Sequence, residues 1–326
     1  MLKYLLGAAA GVALTASAVA AQEKMRISLQ LPLKSHLGQN LLLFEKEVES
    51  RTGGAIDVEI YDSATLYKDK EVPAAVGSGA IESGVASLTR YVGDAPVVDV
   101  FYMPFLFNSE DKVRAAVAEG SPVRETIEAE IAKTGGSVLY WQAYGGAIML
   151  SNGGPIKTPA DMKGKKVRVF GKTLGDFVTA AGGAPTLISG SEQYLAYQRG
   201  TVDVGMTGVS GVKSRKLWEV MDTITVTNHA DIEFVVVVNN DWWNGLSPEI
   251  QGHIREAATV AQADVRDKMA EIEAGAYAAA EENGMTVVKL SDADLAAWKA
   301  VSQPVYDGYL AAAGEAGRTI LDAAGK

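Results

Sequence analysis

Two parts of the chain alternate strand patterns with helical patterns, and this alternation restricts the fold more than any other feature of the sequence. In the first part, residues 25–31 and 56–60 alternate apolar and polar side chains and predict strands, with a helix over 38–51 between them. A helix over 71–77 and a short buried strand over 84–87 follow. Strand–helix–strand order is typical of parallel sheets, so this part predicts an α/β lobe.

The second part repeats this order further along the chain. It predicts strands over 165–170, 185–188 and 202–206, with helices over 173–181 and 191–199 between them. A chain of 326 residues is also too long for one ordinary hydrophobic core. The sequence therefore predicts an α/β protein with two lobes.

Two extended segments connect these parts. Runs over 137–142 and 147–151 precede the second part, and a strong strand over 233–239 follows it. We therefore expect the chain to cross between the lobes near 144–148 and again near 232–236. Two crossings would form a hinge.

The crossings make both lobes discontinuous. Lobe 1 is expected to contain residues 22–145 with about 235–265, and lobe 2 residues 146–234 with about 266–326. Ligand pockets form where lobes meet and near the carboxyl ends of strands. We therefore expect a binding site in the cleft between the lobes.

A long helical pattern follows the second crossing. Ser247-Pro248-Glu249 provides an N-cap, a proline in the first turn and an early acidic side chain, and the pattern continues to Glu282. At 1.5 Å per residue an unbroken helix here would be roughly 50 Å long, enough to span both lobes. The alternative is a pair of helices with a kink near Gly275.

The N-terminus carries an export signal. Lys3 precedes an uncharged, mostly apolar run over 5–14, and Ala18-Val19-Ala20 matches a small-x-small cleavage site. This pattern predicts a signal peptide over 1–21 and release into the periplasm, with a retained membrane anchor as the alternative. There are no cysteines to carry a lipid or disulfides, so the exported chain is expected to be soluble and to depend on its core.

Charge and motif content exclude several classes of function. A formal net charge of −10 argues against nucleic-acid binding, although a buried local cation can still bind an anion. The three histidines lack metal-ligand spacing, and no nucleophile elbow, dinucleotide fingerprint or Walker loop is present. We therefore expect no enzyme activity, no metal and no cofactor.

One charged side chain lies inside a predicted strand. In the alternation of residues 165–170, Val167 and Val169 face one side, and Arg168 faces the other with Lys166 and Phe170. An arginine in a cleft can hold a carboxylate through two parallel N–H bonds. From the pattern alone, a solvated arginine on an edge strand remains the alternative.

Four motifs in order resemble one family. They are MPFLF at 103–107, PADMKGKKVRV at 159–169, SEQYLAYQRGTVDVG at 191–205 and NNDWWNGLSPEIQ at 239–251. Together the sequence resembles the substrate-binding subunits of tripartite ATP-independent periplasmic (TRAP) transporters, of the dicarboxylate-binding-protein type. The resemblance implies a two-lobe periplasmic binding protein fold with hinge strands and a long helix spanning both lobes. It also implies capture of a small organic anion without chemistry, and delivery to TRAP membrane permease subunits.

The resemblance also implies site residues. In this family an arginine of the KVRV-like strand grips the ligand's carboxylate, and Arg168 matches it. A sulfonate would be a less expected group at the same place. The remaining members of the expected ligand-binding set are Gln30, Tyr67, Lys68, Ser87, Tyr91, Tyr144, Phe170 and Thr207. For Tyr67 and Tyr144 ordinary packing is the alternative.

Two departures from the family affect the choice of ligand. Thr207 stands where many relatives have an asparagine, and the region around Ile148 lacks the second cation of sialic-acid and dicarboxylate binders. Those ligands are therefore in doubt. Lys68 is the candidate for a different second cation, with a solvent-facing lysine as the alternative.

Other classes of protein share parts of this pattern. An ABC-type periplasmic binding protein has the same two-lobe architecture but delivers its ligand to an ATP-driven transporter. A ligand-sensing periplasmic protein would instead signal its ligand-bound state to a membrane kinase. The motifs favour the TRAP type. The chain is expected to act as a monomer.

Overall fold

The computed structural model describes residues 22–325, and the alternation of strands and helices is present throughout them. The predicted signal peptide, residues 1–21, lies outside the described residues. Ten strands occur in this range: β1 (Glu23–Ser28), β2 (Ile56–Tyr61), β3 (Ser83–Ser87), β4 (Gly136–Ser151), β5 (Lys166–Val169), β6 (Ala184–Leu187), β7 (Val204–Gly208), β8 (Thr223–Val226), β9 (Asp231–Asn239) and β10 (Thr286–Lys289).

Helices cover and connect these strands. The α-helices between residues 22 and 325 are α1 (His36–Arg51), α2 (Val72–Gly77), α3 (Glu110–Val117), α4 (Pro122–Ala132), α5 (Pro159–Met162), α6 (Lys172–Ala180), α7 (Gln193–Gln198), α8 (Val209–Arg215), α9 (Asn240–Gly245), α10 (Pro248–Asp267), α11 (Met269–Glu282), α12 (Asp292–Ala300) and α13 (Gln303–Ala323). Short 3₁₀ helices occupy Leu88–Tyr91, Pro96–Tyr102 and Leu217–Glu219.

The strands form one connected sheet in two halves. The order β2-β1-β3-β9 continues into the first part of β4, and we call this half-sheet with the helices packed on it lobe 1. The second part of β4 pairs with β7 and β8, and β5, β6 and β10 extend this half-sheet, which defines lobe 2. Parallel pairs link β1 to β2 and β5 to β6, as strand–helix–strand order requires.

Strand β4 passes through both lobes without a break. The sequence predicts two separate runs over 137–142 and 147–151, whereas the structure has one strand of 16 residues that includes Tyr144-Gly145-Gly146 between them. The joint survives as a shift in register against β9 between Ala143 and Gly145. Gly145 has a φ of +94°, which side chains other than glycine rarely adopt, and a Cβ there would displace the Glu273 carboxylate, so glycine is strongly favoured.

The return crossing precedes β9. Strand β8 ends in lobe 2 at Val226, and β9 begins in lobe 1 at Asp231, a few residues before the predicted crossing at 232–236. Val235 to Val238 of β9 are fully buried because the strand lies between β3 and β4. This explains a run of four valines that does not alternate.

The long helical segment is two helices. α10 and α11 meet at Lys268, so the helix is broken seven residues before Gly275, where the sequence places a kink. α10 packs on α1 and β4, and α11 packs on α8 and β10. The segment therefore still reaches from one lobe to the other.

The last helix contacts both lobes. α13 packs on the 3₁₀ helix Pro96–Tyr102 and on α4, which belong to lobe 1, and also on α6 of lobe 2. The residue boundaries of the two lobes stay a prediction. No helix in the stretch from residue 22 to residue 325 has both the length and the apolar character needed to cross a bilayer.

Candidate functional site

A cavity lies where the two half-sheets face each other. Its accessible volume is only about 20 Å³ in this arrangement of the lobes, room for about one water molecule. Both lobes contribute to its wall. The lining residues are Gln30, Asp69, Ser87, Arg90, Tyr144, Arg168, Phe170, Gly190, Gln193, Thr207, Arg215, Ile232 and Phe234.

Arg168 forms the lobe 2 side of this cavity. Strand β5 lies between β6 and β7, so Arg168 is not on an edge strand, and the residue is only 2% exposed. Its Nε donates to Ile188 O at 3.0 Å and one Nη donates to Met206 O at 2.5 Å. These bonds fix the guanidinium in place and contradict the alternative of a solvated arginine.

The charge of Arg168 lacks a protein counter-ion. Among residues 22–325, no carboxylate lies within ion-pair distance of its guanidinium. Burial lowers the pKa of Arg168, and the charges of Arg90 and Arg215 lower it further. A buried cation costs free energy unless an anion compensates it. A bound anion would supply that compensation.

A polar network forms the lobe 1 side. Asp69 Oδ2 accepts hydrogen bonds from Gln30 Nε2 at 3.0 Å, Ser87 Oγ at 3.2 Å and Arg90 Nε at 2.9 Å. The Arg90–Asp69 ion pair is almost fully buried, with side-chain exposures of 6% and 1%. Asp69 thus orients three neighbouring side chains around one oxygen.

Tyr144 and Arg215 complete the wall near the hinge. Arg215 Nη1 donates to the Tyr144 hydroxyl at 3.2 Å, and the Tyr144 ring packs on Phe234 with centroids 5.1 Å apart. A Cβ at Gly208 or Gly211 would lie within 3 Å of Tyr144 atoms. The two glycines therefore let the aromatic ring approach the backbone of lobe 2.

The two lobes touch across the cleft. Lys68 Nζ binds Glu192 Oε1 at 2.8 Å, and Asp99 Oδ2 accepts from the Thr173 hydroxyl at 2.6 Å. Burial raises the pKa of Asp99 to about 6, although the Thr173 hydrogen bond acts in the opposite direction. These contacts describe a closed arrangement of the lobes.

Six of the nine predicted site residues line this single cavity: Gln30, Ser87, Tyr144, Arg168, Phe170 and Thr207. Three do not. Lys68 is tied to Glu192, and its side chain is 38% exposed. Tyr67 packs at the margin of the core while its backbone bonds to Ser28 Oγ, and Tyr91 is buried within the core. Contact of any of the nine with a ligand stays a prediction.

Four polar lining residues were missed by the sequence analysis: Asp69, Arg90, Gln193 and Arg215. Arg90 lies between two predicted site residues, and Asp69 follows another, so proximity was an available signal. Arg215 ends a helix that the sequence analysis did not predict. Arg90 and Arg215 line the cavity in this structure, whereas Lys68 does not. In the described part of the chain, no three histidine or acidic side chains are grouped as metal ligands.

Two lobes that close over a small cavity containing a buried, unpaired arginine define a solute-binding protein. The chain belongs to the family of bacterial extracellular solute-binding proteins, family 7 (DctP), whose model matches residues 27–312. The predicted two-lobe fold and the TRAP type of receptor are thereby confirmed.

Individual relatives agree with this assignment. The C4-dicarboxylate-binding periplasmic protein DctP of Rhodobacter capsulatus is 31% identical over 313 residues, covering 94% of this chain and 92% of the relative. TRAP solute-binding proteins from Shewanella oneidensis, with bound succinate, and Roseobacter denitrificans, with bound β-D-glucuronate, each superpose with a TM-score of 0.87 and 26% identity. Both alignments cover 93% of this chain, with 98% and 99% of the respective structures.

Proposed function

We propose that this chain captures a small organic anion in the periplasm, holds a carboxylate of that anion on Arg168, and delivers it to the membrane subunits of a TRAP transporter. The observation that carries the proposal is the buried guanidinium of Arg168, which lines the cavity and has no carboxylate partner between residues 22 and 325. A carboxylate matches the planar fork of arginine in geometry and charge.

The charge of the whole cavity supports the same conclusion. Arg90, Arg168 and Arg215 line it together with one acidic side chain, Asp69, which leaves two positive charges uncompensated. The chain as a whole is acidic, with a formal net charge of −10. A cationic cavity in an acidic protein selects anions locally without binding them elsewhere.

The chain acts as a binder and not as an enzyme in this proposal, and it acts as a soluble monomer. Asp69, the one acidic side chain that lines the cavity, is ion-paired with Arg90, and the other lining groups are mainly arginines, aromatic rings, hydroxyls and amides. The resemblance to TRAP receptors supports a permease partner rather than an ATPase.

Binding can be tested on the purified mature protein. Native mass spectrometry should identify any acid that co-purifies, and calorimetry on a panel of small mono- and dicarboxylates should rank affinities. A bound acid raises the melting temperature because it stabilises only the folded state. The ligand should be recovered unchanged after prolonged incubation. Binding of neutral sugars or amines with no binding of any acid would contradict the proposal.

A further inference from the structure

The lobe 1 side of the cavity has two buried acceptor atoms without partners among the described residues, Asp69 Oδ1 and Gln30 Oε1, beside one unpartnered donor, Arg90 Nη2. A plain carboxylate could satisfy the donor but neither acceptor. All three donors that reach Asp69 bind Oδ2, and Oδ1 is buried without a partner among the described residues. Asp69 lines the cavity and is 1% exposed. An ionised carboxylate oxygen can only accept a hydrogen bond, so Asp69 requires another donor.

Gln30 presents a second acceptor beside it. Because Asp69 can only accept, Gln30 must give its amide N–H to Asp69, which leaves Oε1 without a donor within residues 22–325. A Cβ at position 190 would lie 2.6 Å from this oxygen, so a side chain there would crowd Oε1 and glycine does not. Gly190 also lines the cavity.

We propose, on the basis of the proposed function above, that the ligand is a carboxylate that also carries a hydroxyl or amide N–H donor, and that Gln30 and Asp69 accept from this donor. The ligand's two ends would then be recognised by different lobes. Arg168 of lobe 2 binds the carboxylate, and the Gln30–Asp69 pair of lobe 1 binds the donor.

The charge of the cavity indicates which donor is accepted. Three arginines face one aspartate, and that aspartate already pairs with Arg90. An ammonium group would add a cation to an excess of cations, whereas a hydroxyl or an amide N–H is neutral. The substrate class is therefore hydroxy acids and amide-bearing acids rather than amino acids.

Water can serve the two acceptors while the cleft is open. Closure removes that water, and a ligand without a donor then leaves two buried acceptors unpaired. Sites built to bond a hydroxyl or N–H discriminate strongly against analogues that lack it. We expect this discrimination to reach at least about tenfold for each matched pair of ligands.

Matched pairs of acids test the inference by calorimetry on the wild-type protein. The pairs are succinate with malate, glutarate with 2-hydroxyglutarate, propionate with lactate, and cyclopentanecarboxylate with 5-oxoproline; aspartate tests the ammonium. The donor-bearing member of a binding pair should bind at least tenfold more tightly than its partner, and aspartate should bind less tightly than malate. A donor-free acid that binds within twofold of its partner, or more tightly, would overturn the inference.

A variant connects the preference to Gln30. In Gln30→Met, the ratio of the affinities for the donor-bearing and donor-free acids of the best-bound pair should fall below about threefold. The control is Gln198→Met, at an exposed position of α7, which should keep the wild-type ratio. An unchanged ratio in Gln30→Met would also overturn the inference. If plain acids bind without discrimination, carboxylate capture stands and this inference fails. If no acid in the panel binds, the proposed function itself fails and the inference fails with it.

Discussion

Asp99 accepts two hydrogen bonds from Thr173, one from the hydroxyl at 2.6 Å and one from the backbone N–H at 3.3 Å, although the two residues belong to different lobes. Thr173 lies in the first turn of α6, where backbone N–H groups have no partner within the helix. The 3₁₀ helix Pro96–Tyr102 of lobe 1 therefore caps a helix of lobe 2. In the arrangement that the structure shows, this cap joins the two lobes.

Removing the Thr173 hydroxyl should weaken ligand binding without any contact to the ligand. In Thr173→Val the closed state loses a hydrogen bond to a buried acidic group, which is worth about 1–2 kcal/mol, or roughly 5- to 30-fold in affinity. Calorimetry with the best-bound acid measures the loss. Thr173→Ser keeps the hydroxyl and should bind the acid nearly as tightly as the wild type does. Equal affinities of Thr173→Val and the wild type for the acid would contradict the role of the cap.

Truncating Arg168 should remove most of the binding free energy that the carboxylate contributes. We expect Arg168→Ala to cost about 2–5 kcal/mol, or roughly 30- to several-thousand-fold in affinity. Arg168→Lys keeps the charge but loses the planar fork, so it should also bind substantially more weakly. Both variants should remain folded by circular dichroism. Arg199→Ala, at an exposed lobe 2 position, is the control, and a loss below about threefold in Arg168→Ala would exclude the assignment.

The Lys68–Glu192 ion pair should contribute little. Both side chains are more than a third exposed, and surface ion pairs are worth about 0–1 kcal/mol. Lys68→Ala and Glu192→Ala should each reduce ligand affinity less than about fivefold. The double variant should lose no more affinity than either single variant. A large loss in Lys68→Ala with none in Glu192→Ala would instead mean that Lys68 binds the ligand directly.

A side chain at position 145 should destabilise the protein. Gly145→Ala combines a positive φ, which costs an alanine roughly 1–2 kcal/mol, with overlap of its Cβ and the Glu273 carboxylate. Gly54→Ala is a matched control because Gly54 has a φ of +79° and no atom within 4 Å of the added Cβ. Urea unfolding should show a larger loss of stability for Gly145→Ala than for Gly54→Ala. Equal losses would mean that the structure around position 145 relaxes to accommodate the added methyl group.

Acidification should destabilise the fold through His229. The residue is fully buried, stacks on Phe177, and burial lowers its pKa to about 3 from 6.5. A depressed histidine pKa contributes stability above pH 6.5, and that stability is lost as the pH falls toward 3. The change from pH 7 to pH 5 should be about 2 kcal/mol.

The slope of stability against pH isolates this effect from other costs of substitution. His229→Gln should flatten the slope between pH 7 and pH 5 by about 2 kcal/mol, whatever its stability at pH 7. His253→Gln, on α10, is the matched control for the substitution itself. Denaturant unfolding at a series of pH values measures both, and an unchanged slope in His229→Gln would assign the acid sensitivity to other groups.

Local sequence patterns were sufficient to predict the strands that carry the site, because the alternation of apolar and polar residues is a property of neighbouring residues. The alternation of residues 165–170 put Arg168 on the face opposite Val167 and Val169, and the motif around it indicated a ligand contact. Its burial could not be predicted, because β6 and β7, which cover it, come from later parts of the chain. The same limit applies to Lys68, whose partner Glu192 is 124 residues away.

Other features depend on how the lobes meet. Arg90 and Arg215 reach the cavity from a 3₁₀ turn and a helix end, and neither position has a periodic signature. The break at Lys268 has no glycine or proline, so no local signal marked it. Helices α3 and α4 did have signals, since Ser109 caps the first and Pro122 begins the second, and those signals were overlooked.

The shared strand β4 has a consequence for cooperativity. Residues Gly136 to Gly146 pair with β9, and Ala147 to Ser151 pair with β7, so one continuous backbone segment belongs to both half-sheets. Melting of either half would fray the strand that the other half needs, and an isolated lobe would expose an open sheet edge prone to aggregation. Evolution can therefore exchange the side chains around the cavity one at a time, but it cannot exchange whole lobes between relatives without rebuilding the strand that joins them.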